Sequence, residues 1–193
     1  MDNEVNEPAP KYKYISPEEY LEMERDSPTK HQYFQGEVFA MAGTSPRHNI
    51  IFKNLFGELY ISLKGKPCQP FGGDFRIHIP DNGLYTYPDI SIVCKPVQTT
   101  NDDNLTNPIV IIEILSKSTR DYDRGTKFNL YRHINTLQEY ILIDSMQISA
   151  EIFSRTIENK WQLDEFTNLS DKFTIQSLRL TLEMGPIYHD VIF

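Results

Sequence analysis

Apolar and polar positions alternate along this chain with a period that changes several times. Residues 15 to 26, ISPEEYLEMERD, open with Ser16, Pro17 and Glu19. An N-cap serine, a proline in the first turn and a capping-box glutamate predict a short helix there. YFQGEVFAMAG (33 to 43) predicts two short strands, or one bent strand, around Gln35-Gly36. A second helix starts at Ser45-Pro46, carries Ile51, Leu55, Leu59 and Leu63 on an i, i+4 stripe, and ends at Gly65.

The period then shortens to two. Phe75, Ile77 and Ile79 alternate with Arg76 and His78, the pattern of a strand with one solvated face. PDNG (80 to 83) is a turn, and DISIVC (89 to 94) is a second strand entered from Tyr87-Pro88. TTNDDNLTNP reads as a polar loop, and IVIIEIL (109 to 115) as a strand apolar on both faces, which belongs mid-sheet under helices. DRGTKFNLYRHI predicts a helix with Phe128, Tyr131 and Ile134 on its buried side, and EYILID a fourth strand. ISAEIFSR, KWQLDEF and KFTIQSLRL predict an antiparallel extension. The core order is helix, strand, strand, strand, helix, strand. That is a mixed α/β chain (α+β, with a mixed sheet), expected as one domain over residues 15 to 193 behind a loose polar arm at 1 to 14.

Composition changes this picture little. A length of 193 residues suits one domain with a substantial core. The 19 Lys+Arg against 27 Asp+Glu give −8, so no global basic field attracts nucleic acid or an anionic membrane. Local basic patches and acidic metal clusters remain compatible with that balance. Cys68 and Cys94 fall short of a disulfide framework or a zinc set, and Cys94, closing an apolar run, is expected as a small core residue. No stretch approaches the roughly 20 apolar residues of a membrane span, and nothing resembles a signal peptide. A soluble, cytoplasmic protein is expected.

One position breaks the apolar pattern. In IVIIEIL six branched aliphatics surround a single carboxylate, Glu113. Burying an ionised carboxylate costs several kcal/mol, to order of magnitude, unless it is paired or bound to a metal. Asp89 stands at the mouth of the preceding strand, after a proline that holds the entry extended. If the two strands are neighbours, their carboxylates converge, and two such groups are relieved by a cation between them. Hard oxygen donors of this kind suit Mg²⁺ or Mn²⁺. The plainer alternative is a strand glutamate paired with a neighbouring Arg or Lys.

GEVFAMAGTSPRH, YPDISIVC, PIVIIEILSKSTRDYDRGTKFNLYR and LQEYILID, taken in order, resemble the "putative restriction endonuclease" family known as Uma-two, within the PD-(D/E)xK nuclease superfamily. The resemblance runs from about Tyr33 to about Asp144. It implies a restriction-endonuclease-like core and a Mg²⁺-dependent endodeoxyribonuclease, with DNA cut by a metal-activated water. Asp89 then matches the aspartate of PD, and Glu113 the acid of the second element. The third position of that element is Leu115, so the lysine is expected on the following helix as Lys127. The backbone carbonyl of Ile114 would be a further metal ligand.

Family members often carry glutamate where this chain has Gln32, while Glu37 is kept, so Glu37 or Asp74 are candidates to complete the metal site. His48 resembles a recurrent histidine at the start of the long helix. It is open between a phosphate or water contact and a plain helix-start residue. Arg47, Lys53, Arg120, Arg124 and Arg132 are candidates for a phosphate-contacting surface, and pairing of two sites to cut both strands would make a homodimer. The rival expectation is a nucleic-acid or protein interaction module on the same fold that does not cleave. Ser116, Ser118 and Thr119 lack a nucleophile elbow and a paired histidine, and are read as capping residues.

Overall fold

The computed structural model describes residues 14–41, 43–101 and 103–193, so nearly all of the expected arm (1–14) lies outside the described residues. The elements in chain order are α1 (Pro17–Arg25), β1 (His31–Phe34), β2 (Glu37–Ala40), α2 (Pro46–Leu63), β3 (Cys68–Gly72), β4 (Arg76–Ile79), β5 (Leu84–Thr86) and β6 (Ile90–Cys94). There follow β7 (Thr99–Thr100), β8 (Asn104–Leu105), β9 (Val110–Leu115), α3 (Arg120–Tyr122), a π-helical segment at Asp123–Lys127, α4 (Phe128–Tyr131) and β10 (Glu139–Asp144). The chain closes with β11 (Ala150–Arg155), β12 (Trp161–Phe166), β13 (Lys172–Ile175), a 3-10 turn at Gln176–Leu178, β14 (Leu180–Glu183) and α5 (Met184–Ile187).

Local chemistry sets the helix starts as expected. The Ser16 hydroxyl accepts from the Glu19 N–H while Glu19 reaches back to the Ser16 N–H. Ser45 caps α2 in the same way, accepting from the His48 N–H. Thr119 is the N-cap of α3 but makes no side-chain cap bond; its hydroxyl meets Ser116 instead.

Among the described residues the strands form two six-stranded sheets and a hairpin. One sheet runs β12-β11-β10-β9-β6-β3, with β9 and β10 parallel and the other pairs antiparallel. DISIVC and IVIIEIL are neighbours, with Ile90 opposite Ile112. The strand at 76–79 pairs elsewhere, in the second sheet (β2-β1-β5-β4-β8-β7), and β6 takes β3 as its outer neighbour. Within TTNDDNLTNP, read as loop, β7 and β8 form a short antiparallel pair.

Strand alternation divides the core. Val110, Ile112 and Ile114 of β9 face the α2 stripe of Ile51, Leu55, Leu59 and Leu63, all but sealed from water. Ile111 and Leu115 face the other way, into a cluster with Phe128, Tyr131 and Ile134 and with Ile77, Ile79, Leu84 and Leu105 from the second sheet. Glu113 shares the parity of Ile111 and Leu115, so it points at the helix that follows β9. A third cluster of Tyr20, Leu21, Tyr33 and Tyr85 joins α1 to the second sheet.

The expectation for Cys94 is corrected. Cys68 and Cys94 lie opposite each other on β3 and β6 and form a disulfide, with both residues half-buried. Cross-strand register brings the two sulfurs together, which spacing along the chain does not reveal. Among the described residues no helix is long and apolar enough to cross a membrane.

Candidate active site

The antiparallel register of β6 and β9 carries Asp89, one residue before β6, past Ile112 and alongside Glu113 and Ile114. Gly73 holds the approach close. A Cβ there would stand 3.3 Å from the Pro88 carbonyl oxygen and 3.6 Å from that of Asp89. Asp89 Oδ2 accepts from the Ile114 N–H at 2.7 Å and meets His48 Nε2 at 3.1 Å. The Asp89 N–H donates to Glu113 Oε2 at 3.3 Å. A strand residue projects its N–H and C=O to the same edge, so the Ile114 carbonyl also faces the Asp89 side.

From the opposite side, Glu113 Oε1 receives Lys127 Nζ and the Tyr131 hydroxyl, both at 2.8 Å. Lys127 also lies 3.5 Å from Asp123 Oδ1. Asp123, Lys127 and Tyr131 succeed one another at four-residue steps, which on a helix is one face. The first two lie in the π-helical segment, a distortion that recurs at functional sites because it re-aims side chains. Glu113, Asp123 and Lys127 are buried, while the Asp89 side chain keeps 23% of its surface and is the cluster's contact with solvent.

The charges do not balance. Burial pushes the Glu113 carboxyl up to about 7 although Lys127 pulls it down, and Asp123 and Asp89 add to the rise. Lys127 responds the other way: burial opposes its charge, but Glu113 and Asp123 overcome this and hold the ammonium protonated well above its usual range. The two shifts favour different states of one contact, and the surplus explains them. Three carboxylates share one ammonium, so the lysine stays charged and the excess negative charge falls on its most buried member. His48 shows the same field, since burial lowers its pKa but the Asp89 contact, helped by Glu113 and Asp123, raises it overall. Among the described residues its buried Nδ1 has no partner.

The donor chemistry fits a hard divalent cation. Two carboxylates and a backbone carbonyl would offer it oxygen donors. Among the described residues no three His, Cys, Asp or Glu side chains are grouped as a metal cage, so further positions would fall to water, as Mg²⁺ favours.

The other expected residues divide. His48 joins the cluster through Asp89. Gln32 is buried on β1, where its amide donates to the Tyr122 hydroxyl and accepts from Thr86 Oγ1. Glu37 is exposed on β2, and Asp74 is exposed and paired with Lys30, so neither is brought to Asp89 and Glu113. Arg120 and Arg124 bind Asp144 and Glu151, which removes them as free phosphate contacts. Lys53 and Arg132 are exposed and Arg47 is half-buried. Asp123 and Tyr131 were not singled out for the site by the sequence reading, although their i−4 and i+4 spacing about Lys127 was a usable signal.

The mixed sheet with α2 packed against it is consistent with a restriction-endonuclease-like fold. The chain belongs to the Uma2 family, whose description is "Putative restriction endonuclease" and whose model matches residues 17–185. It is 33% identical over 189 residues to an uncharacterised protein of Synechocystis sp., slr1290, covering 98% of this chain and 99% of that one. A second uncharacterised Synechocystis protein, sll1609, is 33% identical over 155 residues, covering 79% of this chain and 88% of its own length. The fold is shared with the crystal structure of "a putative nuclease belonging to DUF820" from Anabaena variabilis, at a TM-score of 0.75 and 16% identity, over 92% of this chain and 99% of that one.

Proposed function

We propose that this chain is a metal-dependent endonuclease that hydrolyses DNA phosphodiester bonds. One observation carries the reading: Glu113 and Asp123 share a single ammonium with Asp89 alongside, an excess of carboxylates that opens to solvent at Asp89. Asp89, Glu113 and the Ile114 carbonyl would hold Mg²⁺ or Mn²⁺. Such a cation supplies Lewis acidity toward a phosphoryl oxygen and eases ionisation of a ligated water. Asp89 is aimed by the Ile114 N–H and His48, and Glu113 by Tyr131 and Lys127. Lys127, held protonated, is unsuited to act as a general base. Its role is to orient the nucleophile and stabilise charge developing on the phosphorus oxygens.

Calorimetric titration with Mn²⁺, run beside a plasmid-nicking assay, tests this. The wild type should bind Mn²⁺ and nick DNA only with a divalent ion, and Glu113→Gln should lose both. One feature favours the rival, a non-catalytic interaction module: Glu113 Oε1 is already occupied by two protein donors. Absence of Mn²⁺ binding by the wild type would decide for that rival.

A further inference from the structure

Away from the cluster, a cleft of about 160 Å³ is lined by Asn129, Arg132, His133, Arg155, Asn159 and Trp161. Its walls come from the end of the Lys127-bearing helix and from the hairpin of β11 and β12. Arg155 is fixed there: its two terminal nitrogens donate to the carbonyls of Asn135 and Arg132, and its guanidinium stacks 5.0 Å from the Trp161 ring centre. Among the described residues its buried Nε has no acceptor, and Arg132 reaches the Asn129 side-chain oxygen and the Phe128 ring. Among the described residues neither arginine pairs with a carboxylate, whereas Arg120 and Arg124 on the same helical stretch both do. Burial lowers the Arg155 pKa, and repulsion from the Arg132 guanidinium lowers it further. In a chain of net charge −8 this is an uncompensated positive cleft.

We propose that this cleft binds a phosphate group of a nucleic-acid strand, as a docking point separate from the Asp89–Glu113 cluster. The planar arginine forks and the Asn129 and Asn159 amides match the several oxygens of a phosphate. Its distance from the site follows from register. The Arg155 N–H bonds the Gln138 carbonyl and the Gln138 N–H bonds that of Ile109, so Arg155 stands level with Ile109, four residues before Glu113 and two strands across the sheet. At roughly 3.3 Å per residue and roughly 4.8 Å per strand spacing the separation is about 16 Å, which at roughly 3.4 Å of rise per nucleotide along a duplex axis is about five nucleotides. A phosphate held here would keep a strand in place along the helix that presents Lys127. The proposal rests on the nuclease reading only for the identity of the strand.

The test uses fluorescence-anisotropy binding of a 20-base-pair duplex in EDTA, so that no cleavage is needed, over a series of salt concentrations. Inorganic phosphate is titrated separately by calorimetry. The variants are Arg132→Gln, at an exposed position, and Arg155→Gln, checked for folding by circular dichroism. Each phosphate contact contributes a salt slope of about 0.9. Arg132→Gln should therefore weaken duplex binding about tenfold, lower the slope by about one, and abolish the inorganic phosphate signal. Duplex affinity and slope equal to wild type would overturn strand docking, even if phosphate binding were lost, because the cleft would then take free phosphate alone. Should the wild type bind no duplex, the DNA reading falls, and with it strand docking. The phosphate titration then decides alone whether the cleft is an anion site, and silence there would remove that too.

Discussion

At the scale of single residues, Glu113 is the centre of the argument. Its parity along β9 makes burial unavoidable, and the protein answers with Lys127 and Tyr131 on one oxygen and the Asp89 N–H on the other. Removing the ammonium leaves Glu113 and Asp123 buried together without compensation. Breaking such a pair from one side costs on the order of 3–5 kcal/mol, while removing both partners costs much less than the sum. Lys127→Met should thus be strongly destabilised in urea titrations in EDTA, and Glu113→Gln added to it should restore part of the loss. Under the proposed mechanism the same Lys127→Met should lower the nicking rate by roughly a hundredfold or more, the usual effect of deleting one stabilising donor. Wild-type stability in Lys127→Met would mean that the ion pair is absent in solution.

At the scale of elements, local signals were legible and pairings were not. The capping box of α1, the stripe of α2 and the both-faces-apolar β9 each depend on residues close in sequence, and each formed where the pattern put it. β3 escaped because CQPFG has no alternation and carries a proline that an edge strand tolerates. β7 and β8 are two residues each, too short for any period to register. Hydrophobic spacing also cannot separate a π turn from an α turn over five residues. Asp89, Glu113 and Lys127 were nominated from chemistry and resemblance, but their meeting depends on the β6–β9 register, which no local pattern contains. The Cys68–Cys94 bridge is of the same kind, and it ties the far end of β6 to edge strand β3. It closes a separation of 26 residues, which on the chain-entropy account stabilises by about 3.5 kcal/mol. Dithiothreitol should lower the urea midpoint accordingly and leave Mn²⁺ affinity unchanged, because Asp89 lies at the opposite end of β6. Two free thiols titrating in the untreated native protein would show that the bridge does not form.

At the scale of the whole molecule, two sheets that share no ladder among the described residues are joined by side chains. Ile77, Ile79, Leu84 and Leu105 of one sheet pack in the same cluster as Ile111, Leu115, Tyr140 and Leu142 of the other. A division into two independent units would cut through that cluster and expose apolar area worth about 25 cal/mol per Å². A polar contact crosses the same boundary, since Gln32, which accepts from Thr86 within its own sheet, donates to the Tyr122 hydroxyl one residue before the π-helical segment. Residues 15–193 should therefore unfold as one cooperative unit. Two probes weigh the two sheets differently. Trp161 fluorescence follows the edge strand β12, and near-ultraviolet circular dichroism also carries the packed Tyr20, Tyr33 and Tyr85 beside α1. Their urea transitions should coincide in midpoint and slope. If the proposed cation site exists, Mn²⁺ should move both midpoints upward together, since a ligand of the folded state stabilises everything that unfolds with its site. Separate midpoints, or a shift by Mn²⁺ in the tryptophan signal alone, would show that the tyrosine-rich sheet folds as a unit of its own.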